Sequence, residues 1–105
     1  MSEELDYTQD LNITIRNEQS ETGSSILSAA IDKSGNFIME GQDLGEAVEK
    51  LRGCFEYEHK LVVDEFLKDR MLLFLIQDRF TDAPALIEWL KAKDINYRFY
   101  KRRGD

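Results

Sequence analysis

Two stretches of the chain alternate apolar and polar residues with the period of two that is typical of a half-buried strand. The first runs from Leu11 to Arg16 and the second from Phe55 to Val62. A third stretch, residues 26–31, sets small residues among branched apolar ones, which also indicates a strand. We therefore predict three strands at these positions, with turn-forming residues 17–25 between the first strand and residue 26.

The sequence Asp32-Lys33-Ser34-Gly35 predicts a tight reversal after residue 31. An Asp side chain accepts a hydrogen bond from the backbone two residues on, and Gly tolerates a positive φ. Residues 36–40 would then form the returning strand of a hairpin.

A capped helix is expected directly after this hairpin. Asp43 and Glu46 have the spacing of a capping box, in which each side chain accepts from the other residue's backbone N–H. Apolar residues recur from Leu44 to Leu51 at helical spacing, and Gly53 is placed to end the helix in a left-handed conformation.

Residues 63–80 fit either a helix or a buried strand, because Met71 to Ile76 is an unbroken apolar run. We predict a helix that starts at Glu65 after Asp64, since the segment is long and rich in helix formers. Thr81 or Asp82 would cap a last helix. The alternating residues Ile95, Tyr97 and Phe99 predict a final strand.

These elements predict an α+β fold, with an antiparallel sheet of four to five strands and two to three helices packed mainly on one face. The expected organisation is a flexible N-terminal segment at residues 1–10, a single domain at 11–101 and a tail at 102–105. Phe66, Phe74, Phe80 and Trp89 are expected in its core, and Cys54 is expected as a small apolar filler.

One stretch resembles a group of small uncharacterised bacterial proteins, which share a Glu-Gly-Gln-Asp-Leu-Gly strand-to-helix core followed by a Tyr-Glu strand. In this chain the residues are Glu40-Gly41-Gln42-Asp43-Leu44-Gly45 and then Tyr57-Glu58. The resemblance implies the α+β layout and carries over no catalytic residue. Some similar short acidic proteins are regarded as immunity partners of toxins, which implies protein binding by analogy.

The composition of the chain excludes several kinds of chemical site. With one Cys and one His in 105 residues, the chain has no internal disulfide and no Cys/His zinc cluster. No motif places a nucleophile beside His59, so we predict no enzyme activity, no catalytic residue, no metal site and no cofactor. The acidic start and the lack of a membrane-spanning apolar run lead us to expect a cytoplasmic protein without membrane contact.

Among the features of the composition, the net charge indicates which class of partner the protein binds. The formal net charge is −7, with 15 acidic and 5 basic residues up to Glu65 against 6 acidic and 9 basic from Phe66 on. Such a balance disfavours nucleic acid and favours a basic protein partner. The leading hypothesis is therefore a non-enzymatic, immunity- or inhibitor-like interaction protein. Its predicted interaction residues are Asp43, Glu46, Glu49, Glu56 and Glu58.

Two alternatives stay open. A small-ligand binder or enzyme would use a pocket near Gln42, Asp43, Tyr57 and His59. His59 is, however, expected to be a core or half-core residue, because it lies on the apolar side of its strand. A structural homodimer would bury the region from Met71 to Ile76, which exceeds what a small core covers.

Overall fold

The computed structural model describes residues 7–104, with the side chains of residues 11–104 other than that of residue 47. The fold is α+β, as the sequence predicts: the described residues form a four-stranded antiparallel sheet and three helices. The chain divides after Arg70 into two compact units. The single domain predicted for residues 11–101 stays a prediction.

The sheet is a meander whose strand order in space equals the order along the chain. Its strands are β1 (Tyr7–Ser20), β2 (Gly23–Asp32), β3 (Phe37–Gly45) and β4 (Glu56–Val63). β1 begins before the alternating stretch, at Tyr7, and residues 1–6 of the predicted flexible segment lie outside the described residues. The turn-rich stretch 17–25 is mostly strand, because only Glu21 and Thr22 separate β1 from β2.

The turn between β2 and β3 forms as predicted. Asp32 Oδ1 accepts the backbone N–H of Ser34 and of Asn36, each at 2.9 Å, and Gly35 has a φ of 90°. The bond from the Asn36 backbone is the main reason why the pKa of Asp32 lies below its ordinary value. The turn thus depends on an ionised carboxylate that accepts several N–H groups.

The predicted capping box is wrong. Asp43 stays in β3, where it pairs with Ser25 of β2 and Tyr57 of β4, so it lies outside the helix start. Gly45 holds the capping position with a φ of 113° and no side-chain hydrogen bond. Its N–H instead donates to Phe55 O at 2.8 Å. Because β3 is a central strand, ladders on both sides extend it past the point where the local signal starts a helix.

The first helix, α1 (Glu46–Arg52), is short and contacts β2, β3 and β4. Gly53 ends it in the left-handed conformation, which confirms that prediction, and the Gly53 N–H donates to Glu49 O at 2.8 Å. Val48 of α1 is buried, as are Ala29 of β2 and Ile38 of β3. These three residues are the buried apolar core among the described side chains.

Residues 65–79 form the helix α2 (Glu65–Arg79), so the choice of helix over strand is confirmed. Its first N–H, that of Glu65, donates to Asn36 Oδ1 at 2.8 Å. The side chain that caps α2 therefore comes from the β2–β3 turn, although Asp64 stands next to the helix in sequence.

The third helix, α3 (Ala83–Ala92), begins as predicted: Asp82 Oδ1 accepts the Ala85 N–H at 2.9 Å, and Pro84 stands in the first turn. Phe80 and Trp89 pack edge to face with ring centroids 6.2 Å apart. Two core predictions are wrong, since Phe66 and Phe74 are exposed. The final strand is also absent from the described residues, because residues 95–104 have no ladder partner.

Candidate functional site

Strand register assigns the sequence-predicted residues to two faces of the sheet, since successive side chains of a strand point to opposite sides. Gln42 of β3 pairs with Glu58 of β4, and its neighbour Asp43 pairs with Tyr57. Gln42 and Glu58 therefore share one face, and Asp43 and Tyr57 share the other. The five predicted interaction residues do not form one contiguous cluster.

Two of the predicted carboxylates are held together by a neutral amide. Gln42 Nε2 donates to Glu56 Oε2 and to Glu58 Oε1, each at 3.0 Å. We call these three residues the acidic sheet surface. Within the described part of the chain neither carboxylate has an ion-pair partner, so its negative charge is not neutralised. Two residues along a strand span ~7 Å, which places two anions within reach of one cationic group.

An open groove of about 480 Å³ runs along this part of the sheet. Gln42 and Glu58 line it, and the side chain of Ile26 from β2 contributes apolar surface. Glu40 and Lys60 also line the groove and are paired in register. The arrangement suits a Lys or Arg side chain, whose hydrocarbon stem packs on apolar surface while its charge meets a carboxylate.

On the opposite face, two successive hydrogen bonds connect side chains of three strands. Arg16 Nε donates to Ser25 Oγ at 3.0 Å, and Ser25 Oγ donates to Asp43 Oδ1 at 2.6 Å. The Asp43 carboxylate is half-buried and already bonded. The Asp43 carboxylate therefore stabilises the pairing of β2 with β3. The strand backbone separates this carboxylate from the acidic sheet surface.

His59 is exposed, so the expectation of a core histidine is wrong. Its imidazole lies against Gly41, the residue it faces across the β3–β4 ladder, where the absent side chain leaves room for the ring. The Tyr57 ring is tilted beside it at 5.6 Å, and the Arg52 guanidinium lies 3.9 Å from the centre of that ring. These contacts make an aromatic and cationic row on the face of Asp43.

The four residues of the small-ligand hypothesis do not line one pocket. Gln42 lines the groove described above, and His59 borders it although its ring lies on the opposite face of the sheet, beside Tyr57. Asp43 lines a second open groove of about 560 Å³ beside α1. That second groove is bordered by Val48 and Leu51. The hypothesis stays a prediction, and the geometry gives it no shared site.

The remaining predicted acids, Glu46 and Glu49, are exposed in the first turn of α1, and Lys50 and Arg52 follow in its last turn. Both signs of charge thus alternate over the short helix. Cys54, after the helix, is exposed and donates its S–H to Glu56 O at 3.0 Å, so its predicted role as an apolar filler is wrong.

Sequence reasoning missed the role of Ser25, which lies in a stretch of turn-forming residues. Its bond to Asp43 spans 18 positions and follows from the β2–β3 register. The same holds for Gln42, whose bridging amide depends on the β3–β4 register. No local pattern encodes either contact, because register is set by pairing at a distance.

Within residues 7–104, no set of three or more His, Cys, Asp or Glu side chains is arranged to hold a metal ion. None of the helices described is both long and apolar enough to cross a bilayer. Comparisons with protein-family models, with curated proteins and with solved structures find no match. The resemblance to small bacterial proteins stays a prediction.

Proposed function

We propose that this chain is a non-enzymatic interaction protein that binds a basic protein partner through the acidic sheet surface. The observation that carries the proposal is the Gln42 amide, which holds Glu56 and Glu58 side by side without a cation. A Lys or Arg side chain of the partner would supply the missing positive charge.

The site lies on β4, an outer strand of the sheet, where both carboxylates are exposed and accessible to a protein surface. The adjoining groove accommodates one long basic side chain, with Ile26 beneath its stem. Glu46 and Glu49 of α1 add to the negative field that attracts the partner, and Asp43 contributes through the sheet. The net charge of −7 accelerates such an encounter.

The partner class in this proposal is a cationic protein such as a nuclease or toxin, which the chain would neutralise in the manner of an immunity or inhibitor protein. What supports this class is charge complementarity together with the resemblance stated above. We place the encounter in the cytoplasm, with no part for nucleic acid, membrane or cofactor.

The test compares two variants that each lose two negative charges. Calorimetric titration with cytochrome c as the basic probe measures affinity for the wild type, for E56Q/E58Q and for E46Q/E49Q. We expect E56Q/E58Q to weaken binding at least about tenfold, since two close charge pairs are each worth about 0.7 kcal/mol or more. E46Q/E49Q is expected to weaken it less than about threefold.

An equal loss in both variants would show that only the net charge matters, which contradicts a defined site. Unchanged binding after reversal of all four carboxylates, by E46K/E49K/E56K/E58K, would end the proposal. Circular dichroism of each variant verifies that the sheet is retained.

A further inference from the structure

β4 is the last strand of the sheet in space, so one side of its backbone has no neighbouring strand among the described residues. Hydrogen-bonded and non-hydrogen-bonded pairs alternate along an antiparallel ladder. The Gly45 N–H donates to Phe55 O at 2.8 Å, which makes these two residues a hydrogen-bonded pair at the end of the β3–β4 register. Counted from Phe55, every second residue of β4 therefore bonds to β3, and the residues between them direct their N–H and C=O groups to the open edge.

Four residues direct their backbone groups to this open edge: Glu56, Glu58, Lys60 and Val62. The Glu56 carbonyl accepts the Cys54 S–H at 3.0 Å, which agrees with a carbonyl that points away from β3. Within the described part of the chain, no hydrogen bond from outside the ladder reaches the backbone of the other three residues. All four side chains are exposed. Such a row of unpaired backbone groups is a template for an added strand.

The side chains at this edge determine which strand fits. Residues directly opposite one another in an antiparallel pair lie on the same face of the sheet, with Cβ atoms about 5 Å apart. Gln42 bonds to one oxygen each of Glu56 and Glu58, so the second oxygen of each carboxylate can accept from a cation. Basic residues are therefore favoured opposite Glu56 and Glu58, an acidic residue opposite Lys60 and an apolar residue opposite Val62.

We propose that the open edge of β4 binds an extended segment of the basic partner as an additional antiparallel strand. This inference rests on the proposed function and specifies how the partner binds. From its N-terminus, the segment carries an apolar, an acidic and two basic residues at alternate positions. The antiparallel direction continues the three existing ladders and is slightly more stable per residue than the parallel one. Main-chain hydrogen bonds supply affinity, and the alternate side chains supply specificity.

The probe is the peptide acetyl-Val-Thr-Glu-Thr-Lys-Thr-Lys-amide, titrated into the isotope-labelled full chain and followed by NMR. In the proposed register its Lys residues lie opposite Glu58 and Glu56 and direct their backbone N–H groups to β4, whereas the Thr N–H groups point to solvent. Methylation of both Lys backbone nitrogens is expected to weaken binding at least about tenfold, since it removes two hydrogen bonds and inserts methyl groups between the strands.

The matched control peptide is methylated at the backbone nitrogens of the two Thr residues that precede the Lys residues. It has the same charge and the same number of methyl groups. Because these nitrogens face solvent in the proposed register, we expect its dissociation constant to stay within about threefold of that of the unmethylated peptide.

Hydrogen exchange in the same samples locates the added strand. At a peptide concentration about ten times the dissociation constant, exchange at the Glu58 and Lys60 amides should slow by about tenfold, because bound peptide protects them. The Tyr57 and His59 amides serve as internal controls. They donate to β3 in the free chain, so their exchange should not change.

Equal binding of the two methylated peptides would overturn strand addition and leave a contact through charge alone, so the proposed function would survive that result. A larger loss on Thr methylation would indicate a parallel strand and would also overturn the proposal. So would an unmethylated peptide that does not bind at millimolar concentration, or Glu58 and Lys60 amides already protected in the free chain, since a second copy would then occupy the edge. The cytochrome c titration decides the proposed function separately.

Discussion

At the scale of single residues, the sheet depends on glycines that allow two backbones to approach. Gly45 of β3 pairs with Gly23 of β2, and a Cβ on Gly45 would overlap the Thr22 carbonyl. Gly53 also has a positive φ, of 77°, yet nothing lies within 4 Å of the Cβ it would carry. A substitution at Gly53 therefore measures the cost of the backbone conformation alone, whereas one at Gly45 adds the cost of steric overlap.

We expect Gly45→Ala to lower the free energy of unfolding by about 3 kcal/mol or more, because it combines backbone strain with overlap. Gly53→Ala should cost about 1 kcal/mol, the cost of the left-handed conformation alone. Urea denaturation of both variants gives the comparison. Equal losses would show that the contact with Thr22 relaxes freely.

At the scale of elements, α2 takes its capping group from another part of the chain. Asn36 Oδ1 accepts the Glu65 N–H, and its own backbone N–H and side-chain amide donate to Asp32. One side chain thus joins the β2–β3 turn to the start of α2. The Asp64 carboxylate, by contrast, accepts no N–H among the described residues.

Asn36→Ala is expected to destabilise the protein by about 1 kcal/mol, the usual cost of losing a capping side chain. Hydrogen exchange at the Glu65 amide should become faster in this variant. Asp64→Ala, the control at the adjacent sequence position, should change stability by less than about 0.5 kcal/mol. A larger loss of stability in Asp64→Ala than in Asn36→Ala would show that Asp64 caps α2, as the sequence predicts.

Local patterns predicted the elements whose hydrogen bonds are local. Elements of this kind are the Asp32 turn, the end of α1 at Gly53, the start of α3 at Asp82 and the helix at residues 65–79. The extension of β3 through Asp43 depends on two neighbouring strands, so the capping pattern misplaced the helix start. Ile95, Tyr97 and Phe99 alternate as a strand does, but alternation alone supplies no ladder partner.

The sequence predicted which residues of the candidate site carry charge, but it did not predict how the fold groups them. Glu56 and Glu58 were singled out by charge, and their strand places them two residues apart on one face. The bond from Ser25 to Asp43, and the position of Asp43 on the opposite face, follow only from register. Charge is a property of the residue, whereas grouping of charges is a property of the fold.

At the scale of the whole molecule, the proposed association with a basic protein is electrostatic in origin. Binding of a basic protein relies on exposed carboxylates, which salt screens within ~10 Å at 0.1 M. The dependence of binding on salt concentration therefore tests whether the association relies on charge.

Raising salt from ~20 mM to ~500 mM should weaken cytochrome c binding more than about tenfold. Calorimetric titration at both salt concentrations gives the two dissociation constants. Binding that does not change over this range would contradict an association that depends on Glu56 and Glu58.

The two outer strands also bear on how the protein avoids aggregation. β1 has register irregularities between Tyr7 and Asn12 and between Thr14 and Arg16. Bulges of this type distort a strand so that it is a poor template for another chain. β4 carries Glu56, Glu58 and Lys60 on its open edge. Irregular backbone on one side and charge on the other therefore oppose edge-to-edge growth into fibrils.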